Sequence, residues 1–368
     1  MSNKSLINIT DLSVDELSIL MDIADDIDAN PNSYIEACKD KKLATLFFEP
    51  STRTRLSFES AMLDLGGNVL SVPTALSSSA TKGETVTDTV KVVSNYADII
   101  AIRHPLEGAA LAAAVASDIP VINAGDGGHL HPTQTLADLL TIRRVKGSHA
   151  NLTVGMCGDL KYGRTVHSLV SAMIRYENIK FVFISPSELT IPAYIKNQLV
   201  KKGIKFSETK SLEEALPALD ILYMTRIQKE RFDNKSEYER LKSSYILDKN
   251  KLSVAKSDMA VLHPLPRVDE IATDVDNTKF AKYFYQTLCG KQMRMALLLY
   301  LLGLTFSKKN VSSDLDPHKY FKESVLLESH CKNPRCITHA LPNSSNAFYP
   351  IASKKHLYRC CYCDAETE

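Results

Sequence analysis

The sequence carries almost no net charge: 44 lysines and arginines stand against 43 aspartates and glutamates, a formal balance of +1 over 368 residues. A general polyanion binder shows a marked basic excess, so a broad nucleic-acid surface is excluded and any anion site has to be local. The longest apolar stretch, about Met295 to Phe306, is too short to span a bilayer. The first fifteen residues lack a basic-then-apolar signal pattern, and the expected compartment is the cytoplasm. A G-x-G-x-x-G run is also absent. Gly155-x-x-Gly158 does not replace it, which argues against a nicotinamide enzyme. Nor do the cysteines form a disulfide framework: Cys38, Cys157 and Cys289 are scattered, whereas Cys331, Cys336, Cys360, Cys361 and Cys363 crowd together near the C-terminus as a metal site would.

What the chain does have is alternation of strands and helices, with polar residues at strand ends. Ser13-x-x-Glu16 reads as a capping box opening an amphipathic helix with Leu17, Leu20, Met21 and Ala24 on one face. The apolar run Leu43 to Phe48 reads as a buried strand that stops at Pro50. Ser51-Thr52 then open a helix with Phe58, Ala61, Met62 and Leu65 on one face. A helix N-terminus attracts an anion through its free N–H groups, and here the hydroxyls of Ser51 and Thr52 and the guanidinium groups of Arg53 and Arg55 sit on the turn. That stretch suits a phosphate. Strands are expected at Asn68–Val72, Ala97–Arg103 and Ile119–Asn123, with a helix over Glu84–Tyr96. Arg103 ends one strand. His131 and Gln134, three apart at the start of a helix over His131–Val145, face the same way, so that His131 can donate to a carbonyl oxygen while Gln134 holds an amide.

A second alternating series follows, with strands at Leu152–Cys157, Lys180–Ile184, Ile204–Ser207, Ile221–Met224 and Met259–His263 and a helix capped by Ser211-x-x-Glu214. Arg164, the run Thr225-Arg226-Ile227-Gln228 and the turn His263-Pro264-Leu265-Pro266-Arg267 lie beyond strand ends, where parallel sheets place their ligands. A helix Gln292–Leu302 closes this part. Behind a polar linker, the pairs Cys331/Cys336 and Cys360/Cys363 have the spacing of two chelating turns for a tetrahedral four-thiolate zinc site, with His330, His339, His356 and Cys361 as alternative ligands. About 40 residues build a core with difficulty unless stapled in this way.

The string Phe47-Phe48-Glu49-Pro50-Ser51-Thr52-Arg53-Thr54-Arg55, followed by Arg103-His104-Pro105, Asn123-Ala124-Gly125-Asp126-Gly127 and His131-Pro132-Thr133-Gln134-Thr135, resembles the catalytic chains of the aspartate carbamoyltransferase family. Ornithine-specific relatives resemble it less, since they generally carry His-Cys-Leu-Pro where His263-Pro264-Leu265-Pro266 stands here. The planar fork of Arg226 suits a carboxylate better than an amine. Cys289-Gly290 departs from the common Asn-Gly of relatives. The string from Cys331 to Glu366 resembles the zinc domain of the family's separate regulatory chain, without the nucleotide-binding domain that precedes it there. A catalytically inactive scaffold carrying a zinc-ribbon partner-binding module is the competing reading.

The resemblance implies two open parallel-sheet α/β domains linked by helices, plus a small zinc-bound C-terminal domain. These would be a carbamoyl phosphate-binding domain over 1–133 with a return helix at about 285–305, an aspartate-binding domain over 134–284, a linker over 307–324 and a zinc domain over 325–368. It implies transfer of the carbamoyl group of carbamoyl phosphate to the amine of L-aspartate, with structural zinc in the tail and no cofactor for catalysis. It assigns Ser51, Thr52, Arg53, Thr54, Arg103, His131, Gln134, Ser78, Lys82, Leu265 and Pro266 to carbamoyl phosphate. Lys82, Arg164, Arg226 and Gln228 go to aspartate, and catalysis to Arg53, Thr54, Lys82, Arg103, His131 and Gln134. The implied partners are the two small substrates, with neither nucleic acid nor membrane. In the family the loop of Ser78 and Lys82 enters the neighbouring subunit's site, which implies a homotrimer or a dimer of trimers.

Overall fold

The computed structural model describes residues 4–74, 83–227, 245–305, 315–327, 329–341, 346–351 and 357–367. The chain divides into two compact units, one of residues Met1–Thr133 with Lys291–Glu368 and the other of Gln134–Gly290.

In the first unit a parallel sheet has the order β2-β1-β3-β4, formed by β1 (Lys42–Phe47), β2 (Asn68–Val72), β3 (Ile99–His104) and β4 (Val121–Asp126). The central strand β1 is flanked by β2 and β3, so the chain leaves it in one direction and returns on the other side. Its carboxyl end is therefore the crevice where such sheets hold ligands. Helix α1 (Val14–Ala29) begins with the expected capping box: Ser13 Oγ accepts from the Glu16 N–H at 3.1 Å, and Glu16 Oε2 from the Ser13 N–H at 2.7 Å. Helix α2 (Thr52–Asp64) starts directly beyond β1 and buries Phe58, Ala61 and Met62, each worth roughly 1 to 3 kcal/mol when taken out of water. Helix α3 (Val86–Val93) precedes β3.

Helix α4 (Ala109–Ala116) has no counterpart among the expected elements, and its physical reason is visible. Ala109, Ala110, Leu111, Ala112, Ala113 and Ala114 are all buried, so no 3.6-residue alternation marks it. It sits in one apolar cluster with Ile100 and Ile102 of β3 and with Cys336, Ile337, Phe348 and Tyr362 of the C-terminal tail. Alanine gives the helix its propensity while letting neighbours approach on every side. The tail itself is an antiparallel sheet in the order β10-β11-β12-β13, formed by β10 (Val325–Leu326), β11 (Ala347–Pro350), β12 (Tyr358–Cys360) and β13 (Glu366–Thr367). It is fastened to the turn after β3: Glu107 N–H donates to Arg335 O at 2.9 Å, Ile337 N–H donates to Glu107 O at 2.9 Å, and Asn333 Nδ2 donates to Glu107 Oε2 at 2.7 Å. Tyr320 Oη adds a bond to Asp11 at 2.6 Å.

The second unit holds a parallel sheet in the order β7-β6-β5-β8-β9, from β5 (Thr153–Cys157), β6 (Lys180–Ile184), β7 (Lys205–Thr209), β8 (Ile221–Met224) and β9 (Ala260–Leu262). Here too the order reverses at the first strand, between β5 and β8. Helices α5 (Pro132–Lys146), α6 (Arg164–Met173), α7 (Ala193–Lys201) and α8 (Leu212–Ala215) alternate with the strands. Helix α9 (Tyr283–Leu301) begins nine residues before Gln292 and two before 285, the two starts expected for it. The part of it in the first unit is anchored there by Lys291–Asp64 at 2.6 Å, Arg294 to Ser57 Oγ at 3.2 Å and Tyr300 to Glu16 at 2.7 Å. No helix among the described residues is long and apolar enough to cross a membrane.

Gly108 joins the tail to this frame most tightly. Its φ is +83°, and a Cβ there would lie 2.6 Å from the Tyr362 carbonyl oxygen. Gly147, at φ +74°, has open space around it. Gly108→Ala is therefore expected to cost about 3 kcal/mol or more in chemical unfolding, and Gly147→Ala only the backbone strain of about 1 to 2 kcal/mol. Equal losses in the two variants would contradict the close docking of the tail.

Candidate active site and metal centre

Three loops converge on the carboxyl end of the first unit's sheet, each following a strand. After β1, the extended residue Ser51 (φ −157°, ψ 96°) caps α2 without a side-chain bond to its N–H groups. Its Oγ instead donates to Thr54 Oγ1 at 3.0 Å. The first-turn N–H groups are thus left for an anion, with Thr52 and Arg53 exposed beside them and Thr54 buried. The end of β1 is tied to that of β3, because the Phe48 N–H donates to Arg103 O at 2.8 Å.

Arg103 is buried to 9% exposure. Its Nη1 reaches Ala124 O at 3.4 Å and faces His131 Nε2 at 3.4 Å, and its Nη2 lies 3.3 Å from Glu49 Oε2. Burial pulls the guanidinium's pKa down and the Glu49 carboxylate pushes it back up, with burial prevailing. Nε of Arg103 is buried with no hydrogen-bond partner among the described residues. His131 is buried, and its Nδ1 lies 3.5 Å from Thr133 Oγ1. Arg103 and His131 are therefore brought together. Residues Ser78 and Lys82 lie outside the described residues.

The loop from β4 to His131 is held by a carboxylate that sequence reasoning did not single out. Asp126, 1% exposed, accepts from the N–H of Gly108 at 2.9 Å, the N–H of Leu130 at 3.1 Å and Nδ2 of Asn123 at 3.1 Å. Its Oδ2 also faces His129 Nδ1 at 3.2 Å, while His129 Nε2 faces Asp364 of the tail at 3.0 Å. Burial works against a charged His129, but the two carboxylates outweigh it and raise the pKa well above the ordinary value. The imidazolium then donates from both nitrogens. His104, next to Arg103, goes the other way: burial lowers it to about 4, and its Nδ1 accepts from the Leu106 N–H at 3.0 Å. The aspartate at the end of a buried strand, in Asn123-Ala124-Gly125-Asp126, was the available signal.

In the second unit Arg164 is the first residue of α6, directly beyond β5, and Arg226 follows β8. Burial lowers the His263 pKa against the pull of Glu270, and the charges of Arg267 and Arg226 add to the lowering. His263 is buried, with Nε2 2.7 Å from Glu270 and Nδ1 accepting from the Leu265 N–H at 2.8 Å, so the neutral ring carries its proton on Nε2. Leu265 and Pro266 follow on this turn, whereas Arg267 of the same turn is engaged by Asp276 and by Tyr283. Gln134 sits in the first turn of α5 and donates through Nε2 to Asp138 at 2.8 Å. Gln228 lies outside the described residues.

The tail brings Cys331, Cys336, Cys360 and Cys363 together, all four buried, with every Sγ within 4.8 Å of the others. Cys331 and Cys363 are 3.5 Å apart at Sγ, and Cys336 and Cys360 3.8 Å. Four sulfurs at about 2.3 Å from a central zinc would be separated by roughly 3.8 Å, so the set fits a tetrahedral ion. The spacing is far beyond a disulfide bond. Hydrogen bonds from Cys331, Cys360 and Cys363 hold the Cys336 thiol far below its usual range, with Thr338 Oγ1 adding a contact at 3.2 Å. Of the alternative ligands, Cys361 is buried but outside the cluster, His339 Nε2 is engaged with Cys331 O at 2.8 Å, and His330 is exposed. His356 lies outside the described residues.

Residues 4–144 match the family described as aspartate/ornithine carbamoyltransferase, carbamoyl-P binding domain, and residues 150–301 its Asp/Orn binding domain. Residues 328–368 match the metal binding domain of the aspartate carbamoyltransferase regulatory chain. The aspartate carbamoyltransferase catalytic subunit of Lachnoclostridium phytofermentans is 61% identical over 302 residues, covering 82% of this chain and 98% of its own length. That of Clostridium novyi is 60% identical over 304 residues, covering 83% and 99%. Among solved structures, the catalytic subunit of M. jannaschii aspartate transcarbamoylase superposes with a TM-score of 0.76 at 48% identity, covering 82% of this chain and 98% of that one. The Trypanosoma cruzi aspartate transcarbamoylase in complex with N-(phosphonacetyl)-L-aspartic acid gives 0.76 at 36% identity, covering 81% and 95%.

The cluster assigns the ligands sharply enough to be counted. Cys331→Ser, Cys336→Ser, Cys360→Ser and Cys363→Ser are each expected to lower the bound metal to well under one ion per chain after dialysis, and Cys361→Ser to leave it at one, by atomic emission. Metal loss in Cys361→Ser with retention in any of the other four would overturn the assignment.

Proposed function

Because the chain belongs to the aspartate/ornithine carbamoyltransferase family, we propose that it transfers the carbamoyl group of carbamoyl phosphate to the amine of L-aspartate, giving N-carbamoyl-L-aspartate and phosphate. The observation that carries this reading is the buried Arg103, held against His131 with its Nε unpartnered among the described residues, at a sheet end that also presents the N-terminus of α2. An inactive scaffold would have no use for a guanidinium desolvated at such cost.

In this reading the phosphate rests on the N-terminus of α2, held by Ser51, Thr52, Arg53 and Thr54. Thr54, Arg103 and His131 polarise the carbamoyl carbonyl. Each such donor is worth roughly 3 to 4 kcal/mol in the transition state. Gln134 and the carbonyls of Leu265 and Pro266 orient the carbamoyl NH2. Arg164, Arg226 and Gln228 hold the aspartate carboxylates, and Ser78 and Lys82 enter from a neighbouring chain of a homotrimer. No side-chain base stands out among these residues, and the departing phosphate takes the amine proton. Catalysis then rests on positioning and fixed charge. The four-cysteine cluster holds zinc as a structural ion. None of the eight cysteines forms a disulfide, which suits the reducing cytoplasm.

Initial rates with carbamoyl phosphate and either amino acid test the reaction. Rapid carbamoylation of L-aspartate is expected with no measurable turnover of L-ornithine, and His131→Ala is expected to lower kcat about 10²- to 10³-fold. Turnover of ornithine at a comparable rate would sink the specificity. For the shared site, inactive Lys82→Ala and Arg53→Ala chains regain activity when mixed and reassembled; no recovery in mixed trimers counts against it.

A further inference from the structure

Helix α5 carries a carboxylate that the mechanism above does not use. Asp138 is 0% exposed. Its Oδ1 accepts from Gln134 Nε2 at 2.8 Å and from Gln286 Nε2 at 2.5 Å, and its Oδ2 accepts from Tyr223 Oη at 3.0 Å. Gln286 in turn accepts through Oε1 from the His263 N–H at 3.0 Å, and His263 Nδ1 accepts from the Leu265 N–H at 2.8 Å. One buried network thus runs from Gln134 to the turn of Leu265 and Pro266.

The chemistry of the partners fixes the direction of every amide in it. An ionised carboxylate only accepts, so both glutamines must turn their NH2 groups to Asp138. For Gln286 this leaves Oε1 for the His263 N–H, which is what it meets. For Gln134 it commits one N–H of the NH2 to Asp138 and so fixes Oε1, an acceptor, on the side of the amide turned away from the carboxylate. On the turn, the Leu265 N–H is occupied by His263 and Pro266 has no N–H, so Leu265 and Pro266 offer only carbonyl oxygens. The three groups each present an acceptor oxygen, and the turn presents no backbone donor at Leu265 or Pro266.

We propose that Asp138 is the positioning residue that makes the enzyme select an NH2-bearing acyl phosphate, by locking the amide of Gln134 with its oxygen outward and tying it through Gln286 to the Leu265–Pro266 turn. This rests on the reading that Gln134 orients the carbamoyl NH2. A carbamoyl group donates two N–H bonds to such acceptors. A methyl in the same place leaves them unpaired, which is the kind of mismatch that discriminates strongly.

The test compares carbamoyl phosphate with acetyl phosphate, which replaces the NH2 by a methyl, as the ratio of the acetyl phosphate inhibition constant to the carbamoyl phosphate KM. In Asp138→Leu the freed Gln134 amide can present either end, and the ratio is expected to fall at least tenfold, mostly through a raised KM. Asp138→Asn, whose single carbonyl oxygen can still accept from both glutamines, is expected to keep the ratio within about threefold. Gln286→Leu, which spares Asp138, lowers it severalfold and serves if Asp138→Leu does not fold. Gln134→Ala lowers it like Asp138→Leu, and adding Asp138→Leu to Gln134→Ala lowers it no further. An unchanged ratio in Asp138→Leu, or equal weakening of both ligands, overturns the inference while Gln134→Ala still lowers the ratio. An unchanged ratio in Gln134→Ala overturns the role given to Gln134 and this inference with it.

Discussion

The first unit depends on one buried carboxylate. Asp126 ends β4, and its two oxygens gather the Gly108 N–H of the turn after β3, the Leu130 N–H and Asn123 Nδ2 of its own loop, and the ring of His129. A buried ionised group is tolerable only when its lone pairs are filled in this way, and removing its partners one at a time leaves an uncompensated charge. The same oxygens therefore fix two loops at once. One loop delivers His131, and the other, which follows β3 and its Arg103, receives the tail through Glu107 and Gly108. His129, charged between Asp126 and Asp364, closes the circuit from the sheet to the residue that follows Cys363.

The second constraint is electrostatic. Carbamoyl phosphate and aspartate together bring about four negative charges into a site that must exclude water, and such charges have to be met by fixed partners. The carboxyl ends of the two parallel sheets carry basic residues or a helix N-terminus. In the proposed reading strand β1 feeds the N-terminus of α2 and β3 supplies Arg103 for carbamoyl phosphate, while in the second unit Arg164 and Arg226, which follow β5 and β8, are the groups proposed for aspartate. The buried Arg103 is kept charged by Glu49, which tempers the pull of burial. The tail needs a different remedy. Its short strands enclose little apolar surface of their own, and four thiolates on one ion, together with the shared cluster around α4, replace the core it cannot build.

How legible all this was in the sequence follows from where each signal comes from. Strands β6 and β8 and the start of α1 and α2 announce themselves by apolar runs bounded by capping residues, because those signals are local. Helix α4 does not, since the tail covers the face that would otherwise be polar, and a helix buried all round has no period to read. The first turns of α9 hold polar anchors, Gln286 on Asp138 and Tyr283 on Arg267, whose partners lie elsewhere in the chain. Arginines at strand ends are visible as residues but not as roles. Arg103 is desolvated beside His131, whereas Arg267 is consumed by Asp276. Asp126, His129 and Asp138 act through partners distant in the chain, and no spacing rule reveals a carboxylate whose donors come from other elements.

The most direct test of the account is an Asp126→Asn enzyme assayed for two properties in one preparation: the KM for carbamoyl phosphate, and the rate at which a chelating dye strips the metal from the tail. If Asp126 holds both loops, KM rises and metal loss accelerates together, each by about tenfold or more. A variant that changes one property and leaves the other at its original value would show that the active-site loop and the tail are held independently.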